Sequence, residues 1–147
     1  MGNEQCPLTP PAEFERQVAI LRAVKTIAVV GMSPNRDRPS HEVGVFLHDH
    51  GYRVIPVHPA ATEIAGLAVA KTLTEAHRMA GGMIDLVDLF VAGERIPPLI
   101  EEAHALGITR VWFQPGADHA PSEERAKALG MEVVARACTM AVLARAG

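Results

Sequence analysis

Short apolar, β-branched runs alternate along this chain with helix-length amphipathic segments, and no other feature constrains the fold as much. The runs fall at residues 25–30, 52–57, 84–90, 110–113 and 132–134, with residues 67–70 as a further short extended piece. Between and around them, apolar side chains recur at helical spacing. Phe14, Val18, Ile20 and Leu21 mark a helix over 11–24, capped by Thr9 and opened by Pro10 or Pro11, and it is expected to lie on the sheet edge. Val43, Phe46 and Leu47 mark a second, with Ser40 as its N-cap and Gly51 as its stop. Thr74 caps a short helix that reaches about Met79 and ends at Gly81-Gly82. Pro97 and Pro98 open another through Leu99, Ile100, Ala103 and Leu106, with Gly107 past its end. Residues 122–129 are helical up to Gly130, and the tail from Cys138 to Ala146 carries an apolar helical pattern. Strands joined by short helical crossovers give right-handed connections and a parallel sheet covered on both faces. The 147 residues suit one domain with a full core, preceded by an expected flexible arm over 1–10.

Composition removes several function classes. The net charge of −3 gives no basic footprint for nucleic acid. No stretch approaches the ~20 apolar residues that span a bilayer, and the first residues lack the basic and apolar regions of a secretory signal. Gly2 does not begin a myristoylation signal, because Cys6 stands where Ser or Thr is needed. Cys6 and Cys138 have neither metal nor redox spacing, which fits a reducing, cytoplasmic setting. His41, His48 and His50 are close in sequence, yet no Asp or Glu completes a ligand set with them, so no metal is expected. His104 and His119 read as solvated side chains. Asp85 and Asp88 interrupt the third run. Three residues apart on a strand they point to opposite faces, so they cannot share acid–base work. Asp85 is expected to cap the strand start, and Asp88 to hydrogen-bond a neighbouring loop or stand as a structural buried carboxylate.

The stretch over 26–40, TIAVVGMSPNRDRPS, carries the chemistry. It reads as a buried strand, a sharp loop and a helix start, the place where α/β proteins hold the phosphates of a nucleotide. Backbone N–H groups after Gly31, hydroxyls of Ser33 and Ser40, and the guanidinium groups of Arg36 and Arg38 are all suited to phosphate oxygens. The dinucleotide fingerprint is missing. After Gly31 the next glycine is Gly44, and the second strand ends at His58 rather than an acidic residue. The loop therefore points to a nucleotide-like phosphate ligand held in a manner unlike that of NAD. A serine-hydrolase arrangement has no support, since Gly31-Met32-Ser33-Pro34 is a poor nucleophile elbow.

Longer strings carry a family resemblance. IAVVGMSPNRDRPSHEVGVFLHDHGYRVIPVHP, IDLVDLFVAGERIPPLIEEAHALGITRVWFQPG and GMEVVARAC together resemble the small CoA-binding proteins over about residues 14–140. Those proteins share a Rossmann-like fold with the CoA-binding domain of the succinyl-CoA synthetase alpha subunit. The resemblance implies a single Rossmann-like α/β domain, with a parallel sheet of about five strands and helices on both faces. It implies a CoA site along the strand C-termini. Ser33, Pro34, Arg38, Pro39 and Ser40 match the loop that cradles the phosphates. His58 and Pro59 match the turn flanking the nucleotide. Phe90, Val91, Ile96 and Pro97 match the border of adenine and ribose, and Gln114 and Gly116 match the loop nearer the pantetheine arm. The chain departs from the family pattern at two places. His58-Pro59 stands for the usual Asn-Pro, and Thr139, Met140, Ala141 and Val142 follow Cys138 where Pro-Lys-Ile-Glu is frequent.

These readings converge on a protein that binds CoA or an acyl-CoA without catalysis of its own. No base, nucleophile and orienting group come together in the sequence. Cys138 follows the last strand and is a candidate contact for the ligand thiol, although a free Cys acting as a small buried hydrophobe is the plainer reading. Three alternatives remain: a non-catalytic subunit of an acyl-CoA ligase or transferase, a binder of AMP or NAD, and a purely structural protein. A monomer or homodimer is expected, and a partner protein is compatible with each reading.

Overall fold

Five runs of apolar sequence form one parallel sheet in a computed structural model, which describes residues 10–147. The strands are β1 (Thr26–Val30), β2 (Arg53–Val57), β5 (Leu86–Leu89), β6 (Arg110–Phe113) and β7 (Glu132–Ala135), in the order β2-β1-β5-β6-β7. Every neighbouring pair is parallel, for example Val29 against Pro56 and Asp88, and Trp112 against Val134. The extended piece near 67–70 resolves into a small hairpin, β3 (Glu63–Ile64) with β4 (Leu67–Ala68). Its turn places Ala65 and Gly66 at positive φ, the backbone of a tight two-residue hairpin.

Six helices cover the sheet: α1 (Pro11–Ala23), α2 (Pro39–Asp49), α3 (Leu73–Met79), α4 (Ile96–Ala105), α5 (Ala120–Ala128) and α6 (Thr139–Ala146). Strand side chains alternate between two cores. Ala28, Val30, Ile55, Val57, Val87, Leu89, Val111 and Phe113 pack under α3, α4 and α5. Ile27, Val29, Val54, Leu86, Trp112 and Val134 pack under α1, α2 and α6. A sheet buried on both faces explains why its strands read as continuous apolar runs rather than as alternating ones.

Several boundaries differ from the sequence reading. The first helix lies over a sheet face beside α6, not along the edge, because Val18 and Leu21 join the core that holds Trp112. The α2 cap is Arg38 and not Ser40, since Pro39 takes the first helical turn and the Ser40 hydroxyl is used elsewhere. Thr72, not Thr74, caps α3: its Oγ1 accepts from the Glu75 N–H at 3.1 Å, while Thr74 donates to Glu102. The fifth helix begins two residues earlier than expected, where His119 Nδ1 accepts from the Ser122 N–H at 3.3 Å. Asp85 acts at the start of β1, its Oδ2 accepting from the N–H groups of Lys25 and Thr26, each at 3.0 Å. Thr9, Cys6, Gly2 and most of the proposed arm lie outside the described residues. No described helix is long and apolar enough to cross a membrane.

Candidate functional site

The strand order reverses between β1 and β5. The chain leaves β1 toward α2 on one face, and leaves β5 toward α4 on the other. A crevice opens where such connections part, beyond the strand C-termini. Gly31 sits at its floor. Its N–H donates to the Val57 carbonyl at 2.9 Å, and its φ of +90° suits only glycine. A Cβ here would lie 2.9 Å from Val91 Cγ1, so the ends of β1, β2 and β5 meet at this one residue. Gly31→Ala is expected to cost about 1–3 kcal/mol from conformational strain and overpacking. A urea titration of the variant against the wild type checks this.

The loop after Gly31 is organised from within. The Ser40 hydroxyl accepts from the Ser33 N–H at 2.9 Å, Ser33 Oγ from the Asn35 N–H at 3.0 Å, and Asn35 Oδ1 from the Asp37 N–H at 2.9 Å. The Arg38 N–H goes to the Asn35 carbonyl. Several backbone donors expected to face a phosphate are therefore already paired. What the loop offers instead is hydroxyl and guanidinium. Both serine oxygens act as acceptors, which leaves each O–H hydrogen free to donate, from half-buried Ser33 and from buried Ser40. Arg36 and Arg38 are exposed and enter no ion pair among the described residues. His41 Nδ1 lies 2.8 Å from the Ser33 carbonyl, which only accepts, so that nitrogen carries the proton. Behind the loop, Met32 is fully buried against α2, where a Cβ on Gly44 would come within 2.4 Å of its sulfur. Gly44→Ala must displace Met32 and shift the loop it anchors. The expected loss is about 1–3 kcal/mol, restored in part by adding Met32→Ala, as thermal melts of the single and double variants test.

The second wall is the turn after β2. His58 Nδ1 accepts from the N–H groups of Ala60 and Ala61, at 3.1 and 2.9 Å. This is the turn bond that an asparagine side-chain oxygen makes in an Asx turn. The imidazole thus does the work of the Asn it stands for, with Nε2 carrying the proton, and Pro59 stays against the crevice. His58→Asn is expected to keep the turn, and His58→Ala to lose about 1 kcal/mol. Chemical denaturation of the two variants separates these outcomes.

Between these walls, on the α3–α4 side, lies a cleft of about 280 Å³. Val30, Val57, Pro59, Leu73, Val91 and Leu99 give it an apolar lining, with Lys71 and Arg95 among its polar members. Of the residues expected at this border, Val91 lines the cleft and Phe90 is half-buried, packed on the α1–α2–α6 side. Ile96 is fully buried in the core, and Pro97 is exposed while its neighbour Pro98 lines the cleft. The sequence reading missed Lys71 and Arg95. Lys71 lies outside the strings that carry the family resemblance and Arg95 lies within one of them without an assigned part, and the folded connections bring them to one opening.

Past β6 the edge is polar but closed. Gln114 is buried, and its Oε1 accepts from the Thr139 N–H at 3.0 Å. Thr139 Oγ1 lies 3.0 Å from the same oxygen and 3.3 Å from Asp88 Oδ2. Asp88 is fully buried, and burial pushes its carboxyl well above the ordinary range, with the Thr139 hydroxyl a smaller opposing influence. Gly116 is exposed on the β6–α5 loop. Cys138, half-buried, is the N-cap residue of α6 beside this cluster. Among the described residues no group of three or more His, Cys, Asp or Glu is placed to hold a metal.

A doubly wound sheet with a crevice at its switch point defines a Rossmann-like ligand-binding domain. A family model described as a CoA binding domain matches residues 25–144, and the chain belongs to that family. It is 34% identical over 119 residues to the uncharacterized protein YneT of Bacillus subtilis (strain 168), covering 81% of this chain and 85% of that one. A hypothetical protein from Pyrococcus horikoshii OT3 is 31% identical with a TM-score of 0.84, covering 95% of this chain and 97% of that one. A dinucleotide forming acetyl-coenzyme A synthetase 1 from Ca. Korarchaeum cryptofilum, at 20% identity and a TM-score of 0.64, shares the fold. That match covers 78% of this chain and 27% of the synthetase chain.

Proposed function

We propose that this protein binds CoA or an acyl-CoA at the strand C-terminal edge and makes or breaks no bond itself. The observation that carries the reading is the switch-point crevice, with an apolar cleft on one side and the Ser33–Ser40 loop on the other. The cleft, at about 280 Å³, falls just below the usual size of whole-ligand pockets, which run from ~300 to ~1,000 Å³. It takes the adenosine end of a ligand of this size. The diphosphate then meets the hydroxyl hydrogens of Ser33 and Ser40 and the guanidinium groups of Arg36 and Arg38. The pantetheine arm runs along the edge toward Gln114, Gly116 and Cys138.

Support for a purely binding role comes from how the imidazoles are used. His41 is tied to the Ser33 carbonyl, His58 to its own turn, and His119 to Ser122. Only His119 stands beside a hydroxyl, and that hydroxyl, Ser122 Oγ at 2.6 Å, is buried and belongs to the α5 cap. A second reading, a CoA-holding subunit whose partner supplies catalysis, is favoured by the likeness to about a quarter of a synthetase chain.

Calorimetric titration with CoA and acetyl-CoA tests the reading, alongside native mass spectrometry of the purified protein. The expected result is saturable binding at one site per chain. Arg36→Ala with Arg38→Ala is expected to weaken it about tenfold or more, since each charge-assisted bond contributes about 1.5–3 kcal/mol. Failure of the wild type to bind either ligand refutes it.

A further inference from the structure

Cations stand on separate loops of the strand C-terminal edge, and only one pair has been given a role. Arg36 and Arg38 belong to the β1–α2 loop. Lys71 comes from the connection between β2 and α3, and Arg95 from the 3-10 turn Gly93–Arg95 that leads into α4. Both line the apolar cleft. Both are exposed, and neither enters an ion pair among the described residues. Two of the neighbouring carboxylates already hold hydrogen bonds, while Glu94 beside Arg95 is exposed. Glu102, which also lines the cleft, accepts from the N–H and hydroxyl of Thr74 at 2.8 and 2.6 Å. Glu75 accepts from the backbone N–H of Lys71 at 2.6 Å.

We propose that Lys71 and Arg95 form a second phosphate-reading site, selective for a nucleotide that carries a phosphomonoester on its ribose in addition to its 5′-diphosphate. The inference rests on the CoA reading above and adds a specificity determinant to it. The match is one of number: two cation sets, on separate loops, at one sheet edge. An adenosine seated in the apolar cleft presents its ribose at the cleft mouth. The 5′-diphosphate leaves toward the Ser33–Ser40 loop, and the ribose 3′-oxygen lies on the other side of the ring. Two cation sets on separate loops of one sheet edge fit a ligand with two separate phosphate groups. A ligand with a single phosphate group or a single diphosphate, such as AMP or NAD, leaves one set unused. Apolar walls also strengthen each contact, since charges at a low-dielectric surface are screened less than in open water.

The test compares CoA with 3′-dephospho-CoA by calorimetry, at one fixed low salt concentration. The wild type is expected to bind CoA about tenfold or more tightly than 3′-dephospho-CoA, the size of one charge-assisted contact. Lys71→Ala with Arg95→Ala is expected to remove that preference, so that the variant binds CoA and 3′-dephospho-CoA with equal affinity. Arg36→Ala with Arg38→Ala is expected to weaken both ligands alike. All four side chains are exposed, so circular dichroism melts are expected to match the wild type. Equal binding of CoA and 3′-dephospho-CoA by the wild type overturns the proposal and leaves the CoA reading intact. So does a preference that survives in the Lys71/Arg95 variant. Binding of neither ligand overturns both.

Discussion

Trp112→Ala is expected to remove about 3–5 kcal/mol of stability, the range for a fully buried aromatic side chain truncated to a methyl. Domains of this size hold about 5–15 kcal/mol in total, so the loss is a large part of the whole. Trp112 is completely buried on β6, in the core shared by Leu21, Ile27, Leu86, Val134 and Val142. Its substitution empties space bounded by α1, α6 and the sheet, none of which collapses freely. The indole also carries a bond. Its Nε1 donates to the Ala137 carbonyl at 2.7 Å, fixing the segment that leads from β7 into α6. Trp112→Phe keeps most of the volume and loses that bond, so its cost is expected to be smaller, with the Ala137 carbonyl left unpaired. Since Trp112 is the single tryptophan of the chain, far-UV circular dichroism in urea is the readout common to all three proteins. A loss below about 1 kcal/mol for the alanine variant would mean that this core repacks around the gap.

The sheet was legible in the sequence because both its faces are buried. Continuous runs such as those around Val29 and Val87 have few other homes in a domain of this length, and the helical spacing between them sets the crossover order. Caps were less legible. Ser40 has the right chemistry for an N-cap, but its hydroxyl is drawn to the Ser33 N–H across the loop, and Pro39 then opens the helix in its place. A single residue type with two suitable partners leaves such a choice to tertiary structure. The candidate site divides in the same way. Gly31, Ser33, Arg36 and Arg38 lie within one local stretch, and reading the stretch finds them. Lys71 and Arg95 are far apart in sequence, and although Arg95 lies in a string shared with the family, nothing local pairs it with Lys71, so the chain has to fold before they share a cleft. His58 shows the reverse case. It departs from the Asn that the family resemblance implies, yet its Nδ1 makes the turn bond open to an Asn side-chain oxygen, an equivalence of acceptor geometry that residue letters conceal.

Asp88→Asn is expected to change how stability depends on pH more than any other single substitution. Thr139 has one hydroxyl hydrogen and two acceptors in reach, Asp88 Oδ2 and Gln114 Oε1. The cluster closes if Asp88 is neutral, with its own O–H donating to Thr139 Oγ1 and Thr139 donating onward to Gln114. The other oxygen, Oδ1, is buried without a partner, which an ionised carboxylate tolerates far less well than a neutral acid. Nor does the start of α6 compensate, because the Thr139 N–H is given to Gln114. Burial accordingly raises the folded-state value well above 3.8, the ordinary value the group regains on unfolding. Between those two values the native state holds a proton that the unfolded chain has released. Stability therefore falls as pH rises through that window, by about 1.4 kcal/mol per pH unit, and is fully retained only below it. Other carboxylates work in the opposite direction. Glu13, for one, is lowered by its hydrogen bond to Arg16 and loses its contribution in acid. Those groups are common to both proteins and cancel in the difference. Urea titrations of wild type and Asp88→Asn at a series of pH values are expected to give curves that lie close in acid and separate steadily toward neutrality, with the Asn variant the more stable. Parallel curves would mean that Asp88 is ionised in the folded protein and that an unseen donor satisfies it.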